Sequence, residues 1–331
     1  MELHLLLTAW TFDPITLIGL ALLLGGYLYA VGPLRRRLLA APPAAPLPAQ
    51  TVLFDEPLEE AALANAAENE LLAQFALPRR KVVYFVSGWA LLAFTLISPL
   101  DVLGREYLFS AHTTQLFLII TAVAPLLLLG IPDWLTGLLL PSRAIRQATE
   151  GLLFQVVAVV LFNGIILAWH ITPFYEAALH SMPLHDFQMF CFLVAGVLTY
   201  WPLLTPTTRR IRMSSPVQIV YLAAESIPLD IFGAFTLFST GIFYHTYEIA
   251  PRLWGFSAAA DQQLGGAILA VPGNILDVIL MSIVFFGWIN QMERAQIARE
   301  HALYDAQDAE AAETAAADAA IVAERAETLG G

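Results

Sequence analysis

EYLFSAHTTQLFLIITAVAPLLLLGIP occupies residues 106–132, and its reading decides the fold. From Leu108 to Gly130 it holds no Asp, Glu, Lys or Arg, and about 20 such residues are enough for a helix to cross a bilayer. The run nevertheless opens on His112, Thr113, Thr114 and Gln115, polar side chains that a helix serving only as a span does not need.

The run is one of seven. Comparable apolar stretches lie near Ile15–Val31, Val82–Leu100, Leu152–His170, Phe187–Leu204, Val217–Gly241 and Leu264–Ile289. The 331-residue chain is 58% hydrophobic and 13% charged, against about 25% charged for soluble domains. Only helices and closed barrels satisfy the backbone in lipid. Strand-like alternation is missing, so the expectation is an all-α integral membrane protein, a bundle of seven transmembrane helices in contact with the lipid bilayer.

Positive charge sets the orientation. Arg35, Arg36 and Arg37 follow the first run, and Arg79, Arg80 and Lys81 precede the second. Arg143, Arg146, Arg209, Arg210, Arg212, Arg294 and Arg299 fall on the same side, and only Arg105 and Arg252 on the other. Basic residues stay cytoplasmic, which puts the N-terminus outside and the C-terminus in the cytoplasm. The first run has its basic cluster behind it rather than in front, so it reads as a span and not as a cleavable signal. Residues 1–37 then hold the first helix and 38–81 an acidic, Pro/Ala-rich cytoplasmic loop. Residues 82–292 form a six-helix membrane core and 293–331 an acidic, Ala-rich cytoplasmic tail. The net charge of −12 resides in the loop and the tail. Residues 38–54 read as an extended linker, 56–76 as a short amphipathic helix, and the tail as a frayed helix or disorder.

Walker, GxGxxG, HExxH and CxxC motifs are missing, and no nucleic-acid partner is expected. Cys191 stands alone, which excludes an intrachain disulfide. The polar residues are more informative. On this topology only His301 of the seven histidines is cytoplasmic. His112, His170, His180, His185 and His245 gather at the outer ends of four helices, with Asp261 and Gln262 just before the seventh. Imidazoles suit a wet interface; they are also the commonest metal ligands. His185 and Met189 stand four apart on one helix face, with Gln188 beside them. A His/Met donor set favours Cu(I), a soft ion, while Met is as well suited to filling a core. A second group, Glu225, Asp230, Asn274 and Asp277, lies within the last two spans near Pro228 and Pro272. It reads either as a polar clamp between helices or as a proton or ion path.

Three stretches carry a resemblance: SAHTTQLFLIITAVAPLLLLGIP, AWHITPFYEAALHSMPLHDFQMFCFLVAGVLTYWPLL and FYHTYEIAPRLWGFSAAADQQLGG. In order and content they resemble the signatures of the CtaG-like family of cytochrome c oxidase assembly factors over roughly residues 83–290. His112, Gln115, Trp169, His170, His185, Asp261, Gln262 and Gly265 match its motif positions. Pro173 falls one residue late, behind Thr172. Leu116 and Met189 stand where the family carries second histidines, and Gln188 replaces a glutamate. The resemblance implies a multi-pass protein of the bacterial plasma membrane that works with cytochrome c oxidase subunits as a metallochaperone supplying copper, with no turnover reaction of its own. Its site would comprise His112, His170, His185 and Met189 as Cu(I) ligands, with Gln115, Trp169, Gln188, His180, His245, Asp261 and Gln262 in support. Two alternatives stand beside it: a haem-binding membrane oxidoreductase with two histidine ligands, and a small-solute or proton transporter built on Glu225, Asp230 and Asp277.

Overall fold

In the computed structural model, residues 8–40, 69, 72–140, 142, 152–204 and 213–329 are described. Residues 41–54 of the linker expected at 38–54, most of the helix expected at 56–76, and Arg143, Arg146, Arg209, Arg210 and Arg212 lie outside them, while residues 38–40 are helical rather than extended. Among the described residues no strand forms, and the structure is a helical bundle.

Helix α1 (Pro14–Ala40) starts where Asp13 accepts hydrogen bonds from the Ile15 and Thr16 amides (2.7 and 3.1 Å). Its π-turn at Ala30–Leu34 contains Pro33, which has no N–H to give to a regular ladder. Helix α2 (Arg79–Ile97) docks against it. Tyr27 stacks on Phe85 at 3.7 Å and donates to the Gly130 carbonyl, and the Trp89 indole donates to the Leu20 carbonyl at 2.9 Å. The short α3 (Pro99–Val102) is capped by Ser98 and runs through a π-turn at Leu103–Tyr107 into α4 (Phe109–Gly130).

Helix α4 is the centre of the bundle, with 56% of its span buried against 11% for the last helix. A π-turn at Ile119–Val123 precedes its Pro125. After α5 (Asp133–Leu139) comes α6 (Leu152–Trp169), which bends by 68° into α7 (Thr172–His180). Pro173 explains the break, because proline belongs in a helix's first turn and cannot extend the one before. Helices α8 (Met182–Leu204), α9 (Ser215–Phe238), α10 (His245–Ile249) and α11 (Ala258–Leu329) complete the order.

Among the described residues six helices are long and apolar enough to cross a membrane: α1, α2, α4, α8, α9 and α11. The bent pair α6–α7 makes a seventh if it counts as one span. The outer faces carry exposed Leu22, Val160, Phe235 and Ile283, as a surface solvated by lipid requires. Helices α9 and α11 meet backbone to backbone: a methyl added to Gly266 would stand 2.4 Å from the Leu237 nitrogen. Small residues permit this approach, which replaces the hydrophobic drive that lipid does not supply.

Of the two readings of the tail, helix and disorder, the structure shows the helix: α11 continues unbroken to Leu329, with residues 291–314 exposed. Alanine is the strongest helix former, and no Gly or Pro interrupts the chain between Gly287 and Gly330.

Candidate functional site

The site begins at the first turn of α4. Its free amides are capped from another helix: Asp261 of α11 accepts from the Phe109 amide (2.7 Å), the Ser110 amide (3.1 Å) and the Ser110 hydroxyl. A carboxylate at a helix N-terminus also meets the positive end of the helix dipole. Gln262 accepts from the Phe243 amide and donates to the Gly241 carbonyl, pinning the segment after α9. Gly265 leaves room for the Phe109 ring, which a methyl group there would meet at 2.3 Å. Asp261, Gln262 and Gly265 thus form a framework that sets the position of His112.

Three histidines come together at this end of the bundle, and all are buried: His112 at 0%, His185 at 1% and His170 at 5% exposure. The His112 and His185 rings are 5.8 Å apart between centroids. His112 and His170 both flank Tyr175, at 4.8 and 5.6 Å, and Phe192, at 6.2 and 6.1 Å. His112 belongs to α4, His170 to the α6–α7 bend and His185 to α8.

The hydrogen bonds decide which ring nitrogens are free. His170 Nδ1 lies 2.7 Å from the Ile166 carbonyl, which can only accept. The proton is therefore on Nδ1, and Nε2 keeps a bare lone pair with no partner. His185 Nε2 lies 3.1 Å from Asp101 Oδ1. The Nε2–H donates to the carboxylate oxygen, which leaves Nδ1 as the second bare lone pair. Neither nitrogen of His112 has a partner. Among the described residues, twelve buried side-chain N and O atoms lack one, and seven belong to His112, Gln115, His170, His185 and Gln188. Each such atom costs about 1–3 kcal/mol if nothing bonds to it, so the cluster favours whatever supplies it with partners.

Tyrosines cover it. Tyr175 stacks on Tyr244 at 3.8 Å and shares a 3.1 Å hydroxyl contact with Tyr247. Tyr247 donates to the Gly104 carbonyl, and Tyr244 donates to the His170 carbonyl at 2.9 Å. Burial pushes the Tyr244 and Tyr247 hydroxyls above their ordinary range, so both remain protonated donors.

The other expected residues lie elsewhere. His180 and His245 have side chains 69% and 73% exposed and pair with Glu176 and Glu248 on the exposed rim of the bundle. Trp169 packs edge-on against Phe187. Met189 is buried on α8 and lines a cavity of about 620 Å³ between α1, α2 and α8, with Leu92, Leu96 and Asp186. Glu225, Asp230 and Asp277 line a separate cavity of about 40 Å³ with Leu116, Tyr200 and Ser226. Asn274 donates to the Ala270 carbonyl of its own helix. Among the described residues no group of three or more His, Cys, Asp or Glu side chains stands in assembled metal-ligand geometry.

Two parts of the site were not singled out from the sequence. Asp101 follows Pro99 at the end of a span and reads as a loop acid, yet it is buried against His185. Tyr175, Tyr244 and Tyr247 are legible only as a Tyr-bearing stretch around the α9–α11 connection and α7.

Residues 63–291 match the family described as cytochrome c oxidase caa3 assembly factor (Caa3_CtaG). An uncharacterized protein of Mycobacterium leprae (strain TN) is 23% identical over 244 residues, covering 66% of this chain and 36% of that protein. The chain therefore spans little more than a third of that curated relative. No solved structure matches.

Proposed function

The chain belongs to the cytochrome c oxidase caa3 assembly factor family, and from that membership we propose that it serves assembly by holding Cu(I) as cargo at the outer membrane face. The ligands are His112, His170 and His185. One observation carries the reading: three buried imidazoles from three parts of the bundle each keep an unpartnered ring nitrogen. Two of them, His170 and His185, are held by a carbonyl and a carboxylate in the tautomer a ligand needs, the arrangement usual behind metal-bound histidines. Neutral imidazole suits Cu(I), and a thioether adds selectivity for it. Met189, one helical turn from His185, supplies that thioether by a rotation of its unbranched side chain.

The protein's own part is to bind, orient and release. The tyrosine layer keeps bulk water from the rings; among the described residues no group of three or more His, Cys, Asp or Glu stands in metal-ligand geometry, so binding requires the three rings to move toward one another. The proposed orientation has the N-terminus outside and the C-terminus inside, in the plasma membrane of a bacterium. It follows from the positive-inside rule: Arg35, Arg36 and Arg37 end α1, and Arg79, Arg80 and Lys81 open α2. The partner is an oxidase subunit that accepts copper on that side.

The test is a competition titration of detergent-purified protein with Cu(I) against a chelator. Wild-type protein binds more tightly than the His112→Ala/His185→Ala double variant by at least about 100-fold, the size expected for losing two ligands, since losing one outer-shell partner already costs 10–100-fold. Equal affinity in the two proteins refutes the ligand assignment.

A further inference from the structure

Asp101 is 3% exposed and sits on the one-turn helix α3, where Ser98 and Pro99 start the turn. Its Oδ1 is shared by two neighbours on different helices: His185 Nε2 at 3.1 Å and Gln115 Nε2 at 3.3 Å. Gln115 Nε2 also donates to the Thr95 carbonyl at 3.0 Å, so the amide bridges α2, α3 and α4. Gly104 belongs to the same unit, because a methyl there would stand 2.5 Å from Gln115 Oε1. Among the described residues no Lys or Arg pairs with Asp101; Arg105 pairs with Glu106 instead.

We propose that Asp101 is the positioning residue of the histidine site, holding His185 so that Nδ1 faces the cargo and supplying the negative charge that a bound monovalent cation neutralises. The inference rests on the copper reading and adds a role to a residue outside the ligand set. Three physical facts converge on it. A carboxylate that accepts the Nε2 proton fixes the ring's tautomer and orientation and makes the opposite nitrogen more basic. A buried carboxylate is costly without a compensating charge, and here the compensation comes from neutral donors until a cation arrives next to His185. Gln115, matched to the family motif as a site residue, then acts through Asp101: its amide nitrogen holds the carboxylate in place.

Two substitutions separate shape from charge. Asp101→Asn retains an oxygen that accepts from His185 but removes the charge; Asp101→Leu removes both. Two measurements are made on full-length protein in detergent, with a thermal melt to confirm folding. The first is the nitrogen NMR signature of the His185 tautomer in metal-free protein labelled at histidine. The second is Cu(I) affinity by chelator competition. The expected result is an Nε2-protonated His185 in wild type and Asp101→Asn, lost in Asp101→Leu. Affinity falls about 10- to 100-fold in Asp101→Leu, and by a smaller factor in Asp101→Asn. If Asp101→Leu does not fold, the Asn variant still decides, through its charge-only loss of affinity. Wild-type affinity in the folded variants overturns the proposal and leaves the copper reading standing. If wild-type protein binds Cu(I) no better than the His112→Ala/His185→Ala variant, the copper reading fails. The His185 tautomer then decides the positioning role by itself: wild-type protein with Nδ1 protonated overturns it.

Discussion

Two buried polar regions lie in this bundle, and they are built on opposite principles. In the histidine cluster each oriented ring has one nitrogen satisfied from behind and one left free in front. The carboxylates Glu225, Asp230 and Asp277 surround a cavity of about 40 Å³ between α4, α9 and α11, room enough for water. No Lys or Arg lines that cavity. The first region is held rigid by a carboxylate, a carbonyl and stacked tyrosines, whereas the second surrounds open space, with Asp277 hydrogen-bonded to Ser226. Pre-organised lone pairs are what a ligand site needs; spare volume beside acids is not.

The largest expected effect breaks that comparison directly. The double substitution His112→Ala/His185→Ala abolishes tight Cu(I) binding, whereas Glu225→Gln with Asp277→Asn leaves affinity within about 2-fold. Chelator competition on the two proteins side by side checks it. A large loss in the carboxylate variant would show that the two regions act as one.

Next in size is the framework. Asp261→Ala leaves the Phe109 and Ser110 amides and the Ser110 hydroxyl without their acceptor. Loss of a helix cap costs about 0.5–2 kcal/mol, and stranding buried donors raises the cost toward about 3 kcal/mol. A lower melting temperature is expected, together with weaker Cu(I) binding as His112 loses its fixed turn. Unchanged stability would mean that the α11-to-α4 cap does not hold the site.

Leu116 joins the two regions. It is fully buried one turn below His112, and it lines the carboxylate cavity. Leu116→His, which introduces the second histidine of the family pattern, places an imidazole on that cavity. The expected outcome is Cu(I) affinity within about 3-fold of wild type and a loss of about 1–3 kcal/mol from burying a polar ring. A tenfold gain in affinity would instead place position 116 within the copper site.

The spans were legible because twenty consecutive apolar residues leave few alternatives, and α4, expected at 108–130, begins and ends within a residue of that range. The end of the run expected at 152–170 was legible too, within a residue of the end of α6, whereas the bend and α7 were not. The tail was left undecided between helix and disorder because its Ala/acid composition suits both, and propensity decides only where nothing competes. In the site, the histidines stood out as polar residues at helix ends. Asp101 did not, because its partner is 84 residues away and no local pattern announces such a contact. Position along a helix was readable, but the side of a helix that faces inward was not, which is why five histidines could be expected together although only three are buried.

The other two give the smallest and sharpest prediction. His180 shares Glu176 with Thr246, which donates to the carboxylate through both its amide and its hydroxyl, and His245 contacts Glu248 on an exposed surface. Exposed pairs of this kind contribute little. His180→Ala and His245→Ala should therefore each change stability by no more than about 0.5 kcal/mol and leave Cu(I) affinity unchanged. Thermal melts and the chelator titration read both. If either substitution weakened Cu(I) binding tenfold without changing the melt, an outer histidine would have to lie on the path by which the ion enters or leaves, and the boundary drawn between buried site and exposed rim would move outward to include it.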